Sequence, residues 1–159
     1  MDNLVFRIAE EADIAALEEL RIAYVEADYG SIDKKTENDI RRQLEEYFPL
    51  HLNRELFAFL CLDGEDAVAV VLLYIMEKPA FVGSVSGKTG TLLNVYTRQD
   101  YRRKGIAKKL VETALEKAEQ LGVDFVELQA TADGEPLYRK IGFREKESRY
   151  KPMRYRFER

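Results

Sequence analysis

The residues best placed to do chemistry lie at one junction, LLNVYTRQDYRRKGIAKKL, positions 92–110. A β-branched and aromatic run reads as a strand, a short turn follows, and apolar residues then recur at helical spacing. The turn holds Arg102-Arg103-Lys104-Gly105-Ile106-Ala107. The first amides of a helix have no partner inside it and point at whatever lies ahead. Gly105 has no Cβ, so a ligand can approach the backbone closely, and Ala107 is nearly as small. The basic side chains add charge where the helix dipole is already positive. A glycine in a helix costs about 1 kcal/mol relative to alanine, so Gly105 in a first turn needs a reason. The spacing predicts an anion cradle made mainly of backbone; the plain alternative is a solvated basic helix start.

A second stretch, GSVSGKTG at 83–90, has the look of a phosphate loop but fails its rules. That loop needs four residues between its glycines and a helix directly after it. Here three residues separate Gly83 from Gly87, and TLLNVYT follows, which reads as a strand. The stretch is therefore expected to be a connecting hairpin loop. The only cysteine, Cys61 in LFAFLCL, reads as a small buried strand residue rather than a nucleophile. It excludes an internal disulfide and suits a reducing cytoplasm. His51 is the only histidine, so neither a zinc site nor His-dependent nucleophilic catalysis is expected, and no metal is assigned.

What must position these residues follows from the rest of the chain. Its 159 residues suggest one domain, 1–159, and 46% hydrophobic with 34% charged residues is ordinary for a soluble globular protein. The longest apolar run, AVAVVLLYIM at 67–76, is too short to span a bilayer, and the N-terminus has no secretory signal pattern. The net charge of −4 argues against nucleic-acid binding, yet residues 98–109 carry six basic side chains and one acidic. A local basic cluster on an acidic protein suggests a small anionic ligand.

Strands are predicted at Val5–Ala9, 56–62, 67–76, 91–97 and 123–131, with a final strand in the tail YKPMRYRF. Helices are predicted at 13–27, from Thr36 (capping through Asp39) to near Pro49, at 103–121 with Gly122 as stop, and briefly before Gly142. Residues 28–35 read as a loop. This order calls for a mixed sheet with helices on both faces.

The chain resembles the GNAT superfamily, the Gcn5-related N-acetyltransferases. Arg102-x-x-Gly105-x-Ala107 matches that family's Arg/Gln-x-x-Gly-x-Gly/Ala motif, and Leu137-Tyr138-Arg139-Lys140-Ile141-Gly142-Phe143 matches its Leu-Tyr-x-x-x-Gly-Phe. FRIAEEADIAALEEL looks like the family's opening strand and helix. The chain departs from the pattern at Gln99, Thr131 and Gly134, where proline, asparagine and alanine are common.

The resemblance implies an α/β fold with a mostly antiparallel, six- or seven-stranded mixed sheet and a splayed central strand pair. It implies acetyl-CoA as acyl donor, with residues 102–107 (Arg102, Arg103, Lys104, Gly105, Ile106, Ala107) on the pyrophosphate. Val95, Tyr96 and Thr97 would hold the pantetheine arm through their backbone, and an amide near Val95 would polarise the thioester carbonyl. Tyr138 would protonate the departing thiolate. A base would have to come from Glu127 or Glu77. The acceptor, a small-molecule, peptide or protein amine, would meet Tyr24, Glu26, Asp28 and Tyr29, with Asn94 able to orient it. A non-catalytic acyl-CoA-binding module and a transferase using another acyl-CoA are the alternatives. The family habit of pairing a C-terminal strand across a homodimer stays open.

Overall fold

The run AVAVVLLYIM sits inside the longest strand of the protein, and its continuous hydrophobicity has a direct cause: both faces of that strand are buried. The computed structural model describes residues 3–159. They form two units, one ending at Gln129 and the other Ala130–Arg159. The first contains β1 (Leu4–Ile8), α1 (Ile14–Tyr29), α2 (Lys34–His51), β2 (Leu56–Asp63), β3 (Asp66–Glu77), β4 (Lys88–Thr97), α3 (Ile106–Gln120) and β5 (Val126–Glu127). The second contains α4 (Glu135–Ile141). The sheet runs β1-β2-β3-β4-β5, antiparallel except for the parallel β4–β5 pair.

Alternate residues of β2 and β3 build two separate cores. Ala58, Leu60, Leu62, Val70 and Leu72 pack with Leu17 and Leu20 of α1 and with Leu44 and Phe48 of α2. Phe57, Phe59, Cys61, Val71 and Leu73 fill the opposite face, where α3 buries Leu110, Val111, Ala114 and Ala118. Lys109 and Lys117 of α3 lay their ammonium groups over the rings of Phe6 and Phe57, at 4.0 and 5.1 Å from the ring centroids. Each fully buried Leu or Phe contributes about 1.5–3 kcal/mol. Helices therefore do cover both faces. Cys61 has no exposed surface, and burial pushes its thiol up, so it packs as a small apolar group.

Several expectations need correcting. The sheet has five strands among the described residues, not six or seven. The predicted strand 123–131 shrinks to Val126–Glu127, and the tail 144–159 has no strand although YKPMRYRF alternates. Alternation makes a segment able to be a strand; only a hydrogen-bonded ladder makes it one. α1 runs on to Tyr29, so the loop is only residues 30–33. The cap of α2 is Asp33, whose carboxylate accepts from the amide of Thr36 at 2.8 Å and its hydroxyl at 2.9 Å; Thr36 is the donor, not the cap. β4 begins at Lys88, because Lys88 and Thr89 still pair with Glu77 and Met76. The connecting loop is consequently residues 78–87, and of GSVSGKTG only GSVSG belongs to it. It turns at Gly87, where φ is +73° and a Cβ would lie 2.0 Å from the carbonyl oxygen of Lys78.

Candidate functional site

The residues of the predicted cradle lie at the start of α3. Gly105 is the N-cap, with φ of +77° and no side chain capping the helix. Arg103 is left-handed too, at φ +62°, an uncommon conformation for a residue with a Cβ. Left-handed residues alternating with right-handed ones shape the concave backbone nests that bind anions. The first helix bond runs from the Lys109 amide to the Gly105 carbonyl at 3.1 Å, so the amides of Ile106, Ala107 and Lys108 have no partner within the helix. A Cβ built on Gly105 meets no atom within 4 Å. The space in front of that cap is open.

Side chains brace this turn more than they fill it. The Arg102 Nε donates to the Thr97 carbonyl at 2.9 Å, tying the turn to the end of β4, and its guanidinium lies 5.9 Å from the Tyr96 ring centroid. Lys104 lies 5.4 Å from the ring centroid of Tyr101. All three basic residues, Arg102, Arg103 and Lys104, are exposed, and no carboxylate among the described residues pairs with them. An uncompensated positive field thus surrounds unsatisfied amides.

β4 carries the second feature. Its ladder with β5 covers only Gly90↔Val126 and Thr91↔Glu127, so residues 92–97 have no β5 partner. The resemblance implied a splay between central strands; here the pair that parts is the one at the β5 edge. Against β3, the register passes from Leu72↔Leu93 to Val70↔Tyr96: β4 takes three steps where β3 takes two. The extra residue is a β-bulge at Asn94–Val95. Asn94 is left-handed at φ +53° and buried, with 3% of its surface exposed. Its Oδ1 accepts from Nη1 of Arg21 at 3.1 Å, and its Nδ2 has no hydrogen-bond partner.

The remaining predicted residues fall into groups. Tyr24 is half-buried on α1, its ring 5.5 Å from the Arg21 guanidinium carbon. Burial foremost, then Asp28, pushes the Tyr24 phenol up, so it stays a neutral donor. Glu26, Asp28 and Tyr29 are exposed on the last turns of α1. Glu127 pairs with Thr91, which pairs with Tyr74, so its side chain shares the α1–α2 face of the sheet, about 10 Å along the strand from the bulge. Glu77 pairs with Lys88, six residues and about 20 Å before Asn94. It is highly exposed and lies 3.8 Å from the Lys88 ammonium, so the structure does not bring it to the bulge. Tyr138 lies buried in α4, its ring edge-on to Phe143 with centroids 5.9 Å apart. A Cβ on Gly134 would come within 3.0 Å of the Tyr138 ring, so glycine in place of the common alanine makes room for it.

Sequence reasoning missed Arg21. On a helix with Glu18 three residues earlier it reads as an ordinary surface ion pair. Nothing in the spacing shows that its partner is instead a buried asparagine 73 positions away.

The acetyltransferase (GNAT) family model matches residues 15–143. No curated protein matches the chain. Among solved structures, the chain is similar to a predicted acetyltransferase of Clostridium acetobutylicum crystallised with acetyl-CoA, at TM-score 0.83 and 24% identity over 95% of this chain and 96% of that one. It is similar to glucosamine-6-phosphate N-acetyltransferase of Arabidopsis thaliana, at 0.68 and 19% over 94% and 98%. It is also similar to ribosomal-protein-alanine N-acetyltransferase of Brucella melitensis, at 0.68 and 22% over 96% and 99%. At these identities the likeness is one of fold.

Proposed function

From the premise that this chain belongs to the acetyltransferase (GNAT) family, we propose that it transfers an acetyl group from acetyl-CoA to a primary amine. The observation that carries the reading is the joining of two features on one strand–turn–helix. An uncapped helix start with an open glycine follows, after a short turn, a strand whose bulged end stays paired with β3 but runs free of β5. The first suits a pyrophosphate and the second an extended arm that needs backbone partners.

In this reading the amides around Gly105, Ile106 and Ala107, with Arg102, Arg103 and Lys104, take the pyrophosphate of coenzyme A. The backbone of Val95, Tyr96 and Thr97 receives the pantetheine arm. An amide of the bulge stabilises the oxyanion that forms when the amine adds to the thioester carbonyl. Glu127 removes the amine proton, directly or through water, because an amine of pKa near 10 is charged at neutral pH. The C–S bond then breaks, and Tyr138 returns a proton to the thiolate. Tyr138 keeps this role on the strength of its motif. The attack is direct, without an acyl-enzyme, and the buried thiol of Cys61 supports that. The family match spans parts of both units, which supports one catalytic domain. No helix among the described residues is long and apolar enough to cross a membrane. We place the protein in the cytoplasm on its single free cysteine.

The test is calorimetric titration with acetyl-CoA beside the Gly105→Glu variant, followed by a thiol-release screen over amines. Binding lost in the variant, and thiol release dependent on an added amine, supports the reading. Absence of acetyl-CoA binding by the wild-type protein overturns it. Binding without turnover on any amine favours the non-catalytic module, and faster turnover with another acyl-CoA reassigns the donor.

A further inference from the structure

The α1–α2 face of the bulge holds an arginine that no carboxylate neutralises. Arg21 is half-buried, its Nη1 is spent on Asn94, and none of the ion pairs of the described residues includes it. The contrast with its neighbours is sharp. Arg41 is paired by Glu19 at 2.6 Å and Glu37 at 3.0 Å. A groove of about 410 Å³ between α1 and α2 is lined by Arg21, Val25, Asp39 and Gln43 among others. Its one carboxylate, Asp39, is already taken by Lys35 at 2.9 Å and Arg42 at 3.6 Å. Nearby donors are in the form an anion needs. Burial keeps the phenols of Tyr24 and Tyr47 neutral, and the field of Arg21 reaches both.

The second sign is the Nδ2 of Asn94, a fully buried donor with nothing to donate to. A buried donor left unmade is destabilising, which a folded protein tolerates where a ligand completes the bond. It belongs to the same residue that positions Arg21. A half-buried guanidinium without a counter-ion, a neutral phenol and an unsatisfied amide thus meet beside the bulge where the thioester carbonyl is placed.

We infer that the acceptor is an amine that also carries an oxyanion, a carboxylate or a phosphate, and that Arg21 receives this negative group while the amine faces the bulge. This rests on the acetyl-transfer reading above. Arginine offers its remaining donors as a fork that fits either oxyanion. Tyr24 contributes a phenolic donor. Asn94 acts as a positioning residue for Arg21.

The experiment is thiol release from acetyl-CoA with matched acceptors: α-amino acids against their carboxamides, and glucosamine 6-phosphate against glucosamine. The anionic member of a pair is expected to show kcat/KM higher by roughly 10- to 100-fold, the weight of one charge-assisted hydrogen-bonded contact. Which pair responds identifies carboxylate or phosphate. Arg21→Gln is expected to bring that ratio to near one with acetyl-CoA affinity unchanged by calorimetry, and Arg21→Lys to keep part of it. The wild-type ratio stands by itself if a variant folds poorly. Equal or better use of the neutral members overturns the inference and leaves acetyl transfer intact. So does a ratio that survives Arg21→Gln, or use of polyamines with none of the anionic acceptors. Failure of acetyl-CoA to bind at all overturns the acetyl-transfer reading and this inference with it.

Discussion

Replacing Gly105 by alanine and, separately, by asparagine distinguishes what the backbone needs from what a ligand needs. At φ +77° any residue with a Cβ is strained, by about 1–2 kcal/mol for a typical L-residue, and asparagine tolerates that region best. No protein atom lies within 4 Å of the built Cβ, so packing adds nothing to the penalty. Alanine is therefore expected to cost about 1 kcal/mol, or roughly 2–4 °C in melting temperature for a chain of this size. Asparagine is expected to cost roughly half as much. Both place a carbon in the open space before the helix. If an anion uses that space, losing one charge-assisted bond costs about 1.5–3 kcal/mol, roughly 10- to 150-fold in Kd. Urea denaturation measures the first effect and calorimetric titration with acetyl-CoA the second. The expected pattern is an asparagine variant close to wild type in stability but at least about tenfold weaker in binding. An asparagine variant that binds like wild type refutes the cradle. A loss of several kcal/mol in stability from either variant refutes the premise that the space is open.

Other perturbations reach different parts of the molecule. Gly87→Ala combines a positive φ with a Cβ 2.0 Å from a backbone oxygen, so a loss of about 2–5 kcal/mol is expected in denaturant unfolding. Asp13 is held below the usual carboxylate range, first by its hydrogen bond from Arg7. A depressed folded pKa gives stability that is present above about pH 4 and lost as pH falls through the folded value. Asp13→Asn should therefore cost roughly 0.5–1 kcal/mol at pH 7, and the difference from wild type should shrink toward pH 3 in parallel melts. Tyr138→Phe keeps the ring that meets Phe143, so acetyl-CoA affinity should hold while kcat falls by about 10²-fold; an unchanged kcat removes Tyr138 from the chemistry. Glu127→Gln should lower kcat most at neutral pH and recover as pH rises toward the free amine's pKa near 10, whereas Glu77→Gln should do neither.

The uncapped helix start at Gly105 was legible because its logic is local. A glycine at the start of an amphipathic helix, preceded by arginines, needs only the chain from 91 to 107 to be read. The central strands were legible for the same reason, since Leu56–Asp63 and Asp66–Glu77 are bounded by their own turn residues. What escaped depends on partners distant in sequence. The bulge is a mismatch between two strands, and neither LLNVYT nor AVAVVLL alone contains it. Arg21 acquires its meaning from Asn94, across 73 positions. The strands expected at 123–131 and in the tail follow the same rule in reverse: the pattern was there, but the ladder is two residues long in the first and missing from the second. Asp33 displaced Thr36 as a cap because both residue types cap well, and only the direction of the hydrogen bond decides between them.

The single extra residue in β4 works like a frameshift written in space. Before it, Thr91 and Leu93 lie opposite Tyr74 and Leu72, on the α1–α2 side; after it, that side is taken by Tyr96, opposite Val70. Odd positions hand the face over to even ones. Thr97, opposite Ala69, supplies the carbonyl that Arg102 grips to hold the helix turn. Deleting Val95 would restore strict alternation and leave Tyr96 opposite Val70 and Thr97 opposite Ala69, so the bulge would go while Tyr96 and the anchor of Arg102 kept their sides of the sheet. What the extra residue adds is local: about ten residues upstream of Gly105 it makes room for the left-handed Asn94 and for backbone groups that a straight ladder would use up.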